Sequence, residues 1–319
     1  MNEIFFITLG LLGLWFGSDF AVEAARRIAV KLKVSDLIIG LTITSIGTSL
    51  PEISTNILAG FSTLAEKDAS GIAVGNIIGS DLAQITLLLG IVGFLATLTI
   101  PMRSLKRDGF MLFIALILMY ITAIDGHVSR GEGVILVLAY IIYLIYLLNQ
   151  ERVLENKKTK SKSEKRDYKI GIDLIKTIVG LTVVVVSAYL IVENGVSMAL
   201  QIGITESVIG IFVGLGTSIP ELTVSLRAIK ERAGELSLGN LIGSNITDPL
   251  LSFGLGASVA GVTISQSVLQ FDFVYWMAAT TIALFLIYNH MNLNRKESSV
   301  LIILYLLFIY LKLTFFLTK

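Results

Sequence analysis

Apolar residues fill long blocks of this chain, at about 4–25, 38–61, 72–95, 109–125, 132–149, 170–192, 207–229, 236–261, 269–289 and 298–316, with short polar or basic stretches between them. Each block is close to the ~20 residues that a helix needs to cross the hydrocarbon core of a bilayer. The pattern predicts an all-α integral membrane protein with ten transmembrane helices. Composition points the same way: with 54% hydrophobic and 15% charged residues among 319, the chain has too little polar surface to coat a soluble globule.

Lysine and arginine set the expected orientation. With the N-terminus outside, the cytoplasmic loops receive Arg26, Arg27, Lys31 and Lys33, then Arg103, Lys106 and Arg107, then the linker, then Arg227, Lys230 and Arg232, then Arg295 and Lys296; Lys176 joins them at a helix start. Only Lys67, Arg130, Lys312 and Lys319 fall outside, so both termini are expected to be extracytoplasmic, in the cell membrane. The opening MNEIFF carries no basic stretch ahead of its apolar run, and the first helix is expected to be retained rather than cleaved.

The net charge of +1 averages over loops and lipid-facing helices and gives no sign of a nucleic-acid partner. The absence of cysteine excludes disulfides and thiolate metal sites. Residues 149–169, with eight basic and four acidic side chains in 151–169, read as a solvated cytoplasmic linker. It separates residues 1–148 from 170–319.

Those halves repeat each other. GTSLPE (47–52) returns as GTSIPE (216–221), and GNIIGSDLAQ (75–84) as GNLIGSNITD (239–248), in the same order; AVEAARRIAVKLKVSDLIIG (21–40) corresponds more loosely to IVENGVSMALQIGITESVIG (191–210). The motif regions are 40–60 and 75–90 in the first half, 210–230 and 239–256 in the second. Five helices per half is an odd number, so the second half enters the membrane from the opposite side. Two inverted five-helix repeats are predicted, with broken helices at the midplane, the plan of many secondary transporters.

Chemistry concentrates in the repeated motifs. Pro51 and Pro220 lack an N–H and clash with the carbonyl four residues back, which predicts helix breaks at 47–49 and 216–218 and frees backbone oxygens. Ser49 and Ser218 are candidate N-caps, with proline at the first position of the restarting helix. Glu52 and Glu221 then lie in first turns, where the half-helix dipole favours the ionised form. Ser80 with Gln84, and Ser244 with Asp248, are spaced i, i+4 and share a face. Gly75, Gly79, Gly239 and Gly243 are suited to close helix packing. Glu52, Gln84, Glu221 and Asp248 each lie about 13 to 15 residues into their runs, ~20 Å along the helix and near the midplane. Glycine and serine in such helices often serve packing alone, whereas intramembrane carboxylates are costly and functional by default. Asp81, one position off the Ser80/Gln84 face, reads as a ligand, a titrating group or the partner of a base. Asp19 and Glu23 are expected to pair with Arg26 and Arg27 or to lie at the rim, and His127 and His290 to be solvated.

All the convergent groups are oxygens, which selects hard cations such as Ca2+ and Na+. Competition of one divalent with several monovalent ions for the same acids is a physical basis for antiport. The four motif blocks, the inverted halves and the basic central loop resemble the two alpha-repeats of the calcium/cation antiporter superfamily, and are most similar to prokaryotic sodium/calcium exchangers. The resemblance implies a central divalent site of Glu52 and Glu221 with the carbonyls of Thr48 and Thr217. It implies sodium sites at Ser49 with the carbonyl of Ser45, and at Ser218 with the carbonyl of Gly214. It further implies that Asp248 and Gln84 complete the middle, with Ser80 and Ser244 nearby, and that access alternates as the first and sixth helices slide against the other eight.

The chain departs from that pattern in three places. Gln84 stands where related exchangers commonly have Asn, Asp81 adds an acid, and five residues separate Gly210 from Gly216 against six between Gly40 and Gly47. The expected activity is secondary active exchange of Na+ for Ca2+, in the direction of Ca2+ extrusion, with no cofactor, no enzymatic step and no obligate protein partner; the ions and the lipid bilayer are the partners. K+-dependent Na+/Ca2+ exchange and Ca2+/H+ antiport remain variants, and a cation channel an alternative. An intramembrane protease is disfavoured, because no deep histidine activates Ser49 or Ser218 and neither Asp81 nor Asp248 has a GxGD context.

Overall fold

The computed structural model describes residues 2–32, 34–66, 69–99, 101–158, 170–201 and 215–316. Apart from 207–214, which lies outside them, every predicted apolar run coincides with helix. The chain opens with α1 (Asn2–Leu32) and a broken element made of α2 (Asp36–Ile39), a π turn (Gly40–Thr44), α3 (Ser45–Thr48) and α4 (Leu50–Leu64). A bent column follows, α5 (Ser70–Leu82), a π turn (Ala83–Leu88) and α6 (Leu89–Leu95), then α7 (Met102–Ala123), α8 (Arg130–Lys158) and α9 (Ile170–Gln201). The rest comprises α10 (Ile219–Lys230), α11 (Gly234–Thr247), a π turn (Asp248–Ser252), α12 (Phe253–Ala260), a π turn (Val268–Asp272), α13 (Phe273–His290) and α14 (Arg295–Phe316). The sequence run at 109–125 begins late because the basic first turns of α7, around Arg103, Lys106 and Arg107, broke the apolar pattern.

Six helical spans among the described residues are long and apolar enough to cross a membrane, or seven with the 36–64 element, whose halves meet at 46°. Phe5, Trp15, Phe16, Ile142, Phe285 and Tyr310 stand on the outer surface, more than half exposed. Such a rim suits lipid and would be a liability in water.

The description as all-α needs one small correction. Two antiparallel ribbons, each two residues per strand, join helix ends: Leu98–Thr99 pairs with Asn292–Leu293, and His127–Val128 with Val262–Thr263. The first links the turn after α6 to the α13–α14 turn, and the second links the α7–α8 turn to the turn after α12. The two halves thus make equivalent exchanges. Their helix starts repeat as well. At α8 the Ser129 hydroxyl and amide donate to Glu132 Oε2 at 2.7 and 2.8 Å, and at α14 the Asn294 amide donates to Glu297 Oε2 at 3.0 Å, capping contacts that satisfy N–H groups left orphaned at a helix start.

Close packing of α11 on the first broken half-helix positions the interior. A Cβ on Gly239 would lie 2.3 Å from the Leu37 carbonyl oxygen, one on Gly40 2.5 Å from that of Leu236, and one on Gly243 2.8 Å from Ser45 Cβ. Beyond the π turn, α12 continues onto α4, where Gly256 faces the Asn56 carbonyl at 2.6 Å from its would-be Cβ. One bent column of the second half therefore flanks both parts of the broken element in the first. The expected role of the glycine pair holds for Gly239 and Gly243, whereas Gly75 meets no described atom within 4 Å. Gly239→Ala is expected to destabilise the protein by about 1–3 kcal/mol or to prevent folding, since backbone cannot yield as a side-chain tip does. Gly234→Ala, whose Cβ meets its first neighbour at 3.7 Å, should melt like the parent in detergent. Equal melting temperatures for the two variants would contradict the packing account.

Candidate functional site

Both glutamate motifs form the same local structure. Ser49 (φ −78°, ψ 9°) and Ser218 (φ −87°, ψ 4°) occupy the sparsely used bridge region between helical segments, and the helix restarts at Leu50 and at Ile219. Proline is thus the second residue of each restarting helix. Both serines occupy the N-cap position as expected, but neither caps with its side chain: Ser49 Oγ instead donates to Glu221 Oε1 at 3.4 Å, from the first motif to the second, and Ser218 Oγ is buried without a partner among the described residues. The break also sits later than the glycine. Gly47 is inside α3, and its small size admits Leu181 of α9, whose Cδ1 would lie 2.3 Å from a Cβ there.

The remaining groups converge on these glutamates. Ser45, Thr48, Ser49, Glu52, Ser80, Asp81, Gln84, Ser218, Glu221, Ser244 and Asp248 all have zero exposure. Thr217 is half-buried. It stands beside the Glu52 carboxylate, and Thr48 stands beside Glu221. The first motif's hydroxyl thus faces the second motif's acid, and the reverse. Ser244 Oγ donates to Glu221 Oε1 at 3.4 Å, and Gln84 Nε2 to Asp248 Oδ2 at 3.2 Å. Ser80 and Ser45 donate locally, to the carbonyls of Ile77 and Thr42. Gly214, expected to offer a carbonyl, lies outside the described residues.

Several residues here escaped the sequence reading. Asn76 and Asn240 occupy the same place in the two GN-x-IGS motifs and donate to the backbone carbonyls of Glu52 (3.5 Å) and Glu221 (3.3 Å). Each fixes the first turn that carries its glutamate. The asparagines hold matched positions in the repeated blocks, which is their signal in the sequence. Asn56 adds a second donor to the Glu52 carbonyl at 2.8 Å and reaches Ser252 at 3.1 Å. Asn245 donates to Gln84 Oε1 at 3.0 Å. The π turns 83–88 and 248–252 start at the motif ends; Pro249, which cannot donate to Asn245's carbonyl, marked the second one in the sequence.

Four carboxylates thus meet in a buried interior. Among the described residues Glu52 and Asp81 meet no hydrogen-bond donor in bonding geometry on either oxygen, and neither do Glu221 Oε2 and Asp248 Oδ1. The ion pairs of the described residues lie elsewhere: Arg27 with Glu23 and Asp173, Arg227 with Asp19 and Glu231, Arg26 with Asp36, Arg107 with Asp108, Lys312 with Asp272. Glu23 pairs within α1 as expected, whereas Asp19 reaches across to α10. An uncompensated buried carboxylate costs several kcal/mol. Bound cations would offset that cost. Among the described residues no three acidic, imidazole or thiol groups converge tightly enough to chelate a metal alone; an ion here would complete its shell with hydroxyl, amide and carbonyl oxygens.

A helical membrane protein whose described interior gathers buried oxygen-bearing side chains from two copies of one motif pair fits the class of ion transporters. The comparisons narrow this further. The family model described as sodium/calcium exchanger protein matches residues 2–149 and 173–314. Sodium/calcium exchanger MaX1 of Methanosarcina acetivorans is 30% identical, over 95% of this chain and 96% of its own. A solved structure of the sodium-calcium exchanger NCX_Mj superposes with a TM-score of 0.82 at 31% identity, covering 97% and 98% of the two chains. Sodium/potassium/calcium exchanger 3 of Rattus norvegicus shares 30% identity over 131 residues, 40% of this chain and 20% of its own. The chain belongs to the sodium/calcium exchanger family.

Proposed function

We propose that the protein is a secondary active antiporter that exchanges Na+ for Ca2+ across the cell membrane by alternating access, working in the cell to extrude Ca2+. The observation that carries this reading is the set of buried carboxylates from both halves with no basic partner among the described residues. Ca2+ and several Na+ neutralise the same acids in turn, and neither can be absent without leaving bare charge in a buried site. Glu52, Glu221 and Asp248 supply the charge. Thr48, Thr217, Ser45, Ser49, Ser218 and Gly214 supply neutral oxygens, and Ser80, Ser244 and Gln84 border the site.

The architecture that suits this activity has ten transmembrane helices in two inverted repeats, 1–148 and 170–319, joined by a cytoplasmic linker at 149–169, with both termini outside. The matched ribbons, caps and serine breaks support that reading. The deciding experiment is 45Ca uptake into sodium-loaded proteoliposomes diluted into sodium-free buffer. Uptake that requires internal sodium is expected. Uptake driven by protons alone, or indifferent to any counter-gradient, would overturn exchange in favour of a proton antiporter or a channel; an added requirement for potassium would place the protein with the potassium-dependent exchangers.

A further inference from the structure

The second motifs of the two halves trade chemistry. The first reads Asp81-x-x-Gln84 and the second Asn245-x-x-Asp248, so acid and amide exchange places between equivalent positions. All four side chains have zero exposure. Their hydrogen bonds fix which atoms remain for an ion. The Leu241 carbonyl can only accept, and Asn245 Nδ2 lies 3.0 Å from it, so that atom is the amide nitrogen. The same nitrogen lies 3.0 Å from Gln84 Oε1, which is therefore the oxygen, and Gln84 Nε2 is left to face Asp248 Oδ2 at 3.2 Å. The chain of donors runs from Asn245 through Gln84 to Asp248.

Gln84 consequently turns N–H groups, not its oxygen, towards the acids. Asp81 lies against Asp248, and neither of its oxygens meets a donor in bonding geometry among the described residues. The uncommitted oxygens of this quartet are both from Asp81, Oδ1 of Asp248 and the neutral Oδ1 of Asn245. Ordinary helix geometry puts Asp81 one position off the Ser80/Gln84 face, yet its burial beside Asp248 brings it into the centre.

We propose that Asp81, rather than Gln84, is the residue by which the first half's second motif coordinates the transported cation, and that Gln84 is a positioning residue that holds Asp248. This rests on the exchange reading above. It makes the site four-negative, so that a bound Ca2+ leaves two charges to be met by monovalent ions. It also explains how the longer Gln is accommodated where an ion would otherwise need its oxygen: the side chain spans the gap to Asn245 and Asp248 instead of pointing at the ion.

Calorimetric Ca2+ titration of the purified full-length protein in sodium-free detergent buffer tests the assignment. Asp81→Asn is expected to weaken binding by at least about tenfold, as loss of an anionic ligand does, and Asp81→Glu to restore most of it. Gln84→Leu should weaken Ca2+ binding less than Asp81→Asn does, since no ligand oxygen is lost, while lowering the ratio of Ca2+ to Sr2+ affinity because Asp248 loses the donor that holds it. Parental affinity in Asp81→Asn, or a loss in Gln84→Leu exceeding that in Asp81→Asn, would overturn the proposal. If Asp81→Asn is not recovered folded, Asp81→Glu decides: a coordinating acid lengthened by one methylene changes the Ca2+ to Sr2+ ratio, and an unchanged ratio overturns the role. A parent protein that binds no Ca2+ would instead remove the exchange reading and this assignment with it.

Discussion

Glu221→Gln is expected to abolish Ca2+ binding and sodium-dependent Ca2+ transport while leaving the protein folded. Glutamine preserves the volume and can still accept from Ser49 and Ser244, which approach Glu221 Oε1 at 3.4 Å. Only the charge is lost, at a position with zero exposure where no solvent replaces it. Removing one partner from a buried charge pair costs about 3–5 kcal/mol, which converts to roughly a 100- to 4000-fold loss of affinity at about 1.4 kcal/mol per tenfold. A second sign separates this from simple damage. Without ions the four carboxylates repel one another, so Glu221→Gln should melt at the same or a higher temperature than the parent in ion-free buffer, yet lose the stabilisation that Ca2+ confers through binding the folded state. Glu52→Gln should behave alike, since the two residues occupy matching first turns. A variant that Ca2+ still stabilises as it does the parent would remove Glu221 from the site.

Much of this centre was legible because membrane insertion makes polar residues expensive and therefore conspicuous. The two GTS-x-PE motifs announced their broken helices through Pro51 and Pro220, and the glutamates fell inside apolar runs. What escaped notice was of two kinds. The π turns at 40–44, 83–88 and 248–252 leave no trace in a periodicity test, because one wider turn shifts the register without changing composition. Asn76, Asn240 and Asn245 act through hydrogen bonds to the Glu52 carbonyl, the Glu221 carbonyl and Gln84, groups distant in sequence, which spacing cannot show. Asp108 and Asp272 are a different omission. Both are buried acids in helical columns, and the cost of such groups should have flagged them. Their partners, Arg107 beside Asp108 and Lys312 at 2.6 Å from Asp272, make them structural ion pairs, and that outcome depends on contacts rather than on residue type.

The absence of cysteine gives the proposed helix sliding a clean test. A Cβ on Gly47 would lie 3.4 Å from Leu181 Cβ, and one on Gly13 3.1 Å from Ser187 Cβ, both close to the ~3.5–4.5 Å that a disulfide spans. The pairs differ in what they tie together. Gly13 and Ser187 join α1 to α9, the first and sixth helices, which are proposed to move as one. Gly47 and Leu181 join α9 to the broken helix, which is proposed to stay behind. Replacing Leu181 by cysteine also removes the Cγ and Cδ atoms that would crowd a side chain at position 47, so the reduced double variant should fold. Oxidised Gly47→Cys/Leu181→Cys is therefore expected to lose sodium-driven 45Ca uptake by more than about tenfold and to regain it on reduction, while oxidised Gly13→Cys/Ser187→Cys transports like the parent. The existing link between α1 and α10, Asp19 to Arg227, does not oppose such motion: with Asp19 43% exposed, the pair is screened and contributes about 1 kcal/mol or less. Full transport in the oxidised Gly47→Cys/Leu181→Cys protein would show that α9 does not slide against the broken helix. Alternating access would then require some other movement around the same four carboxylates.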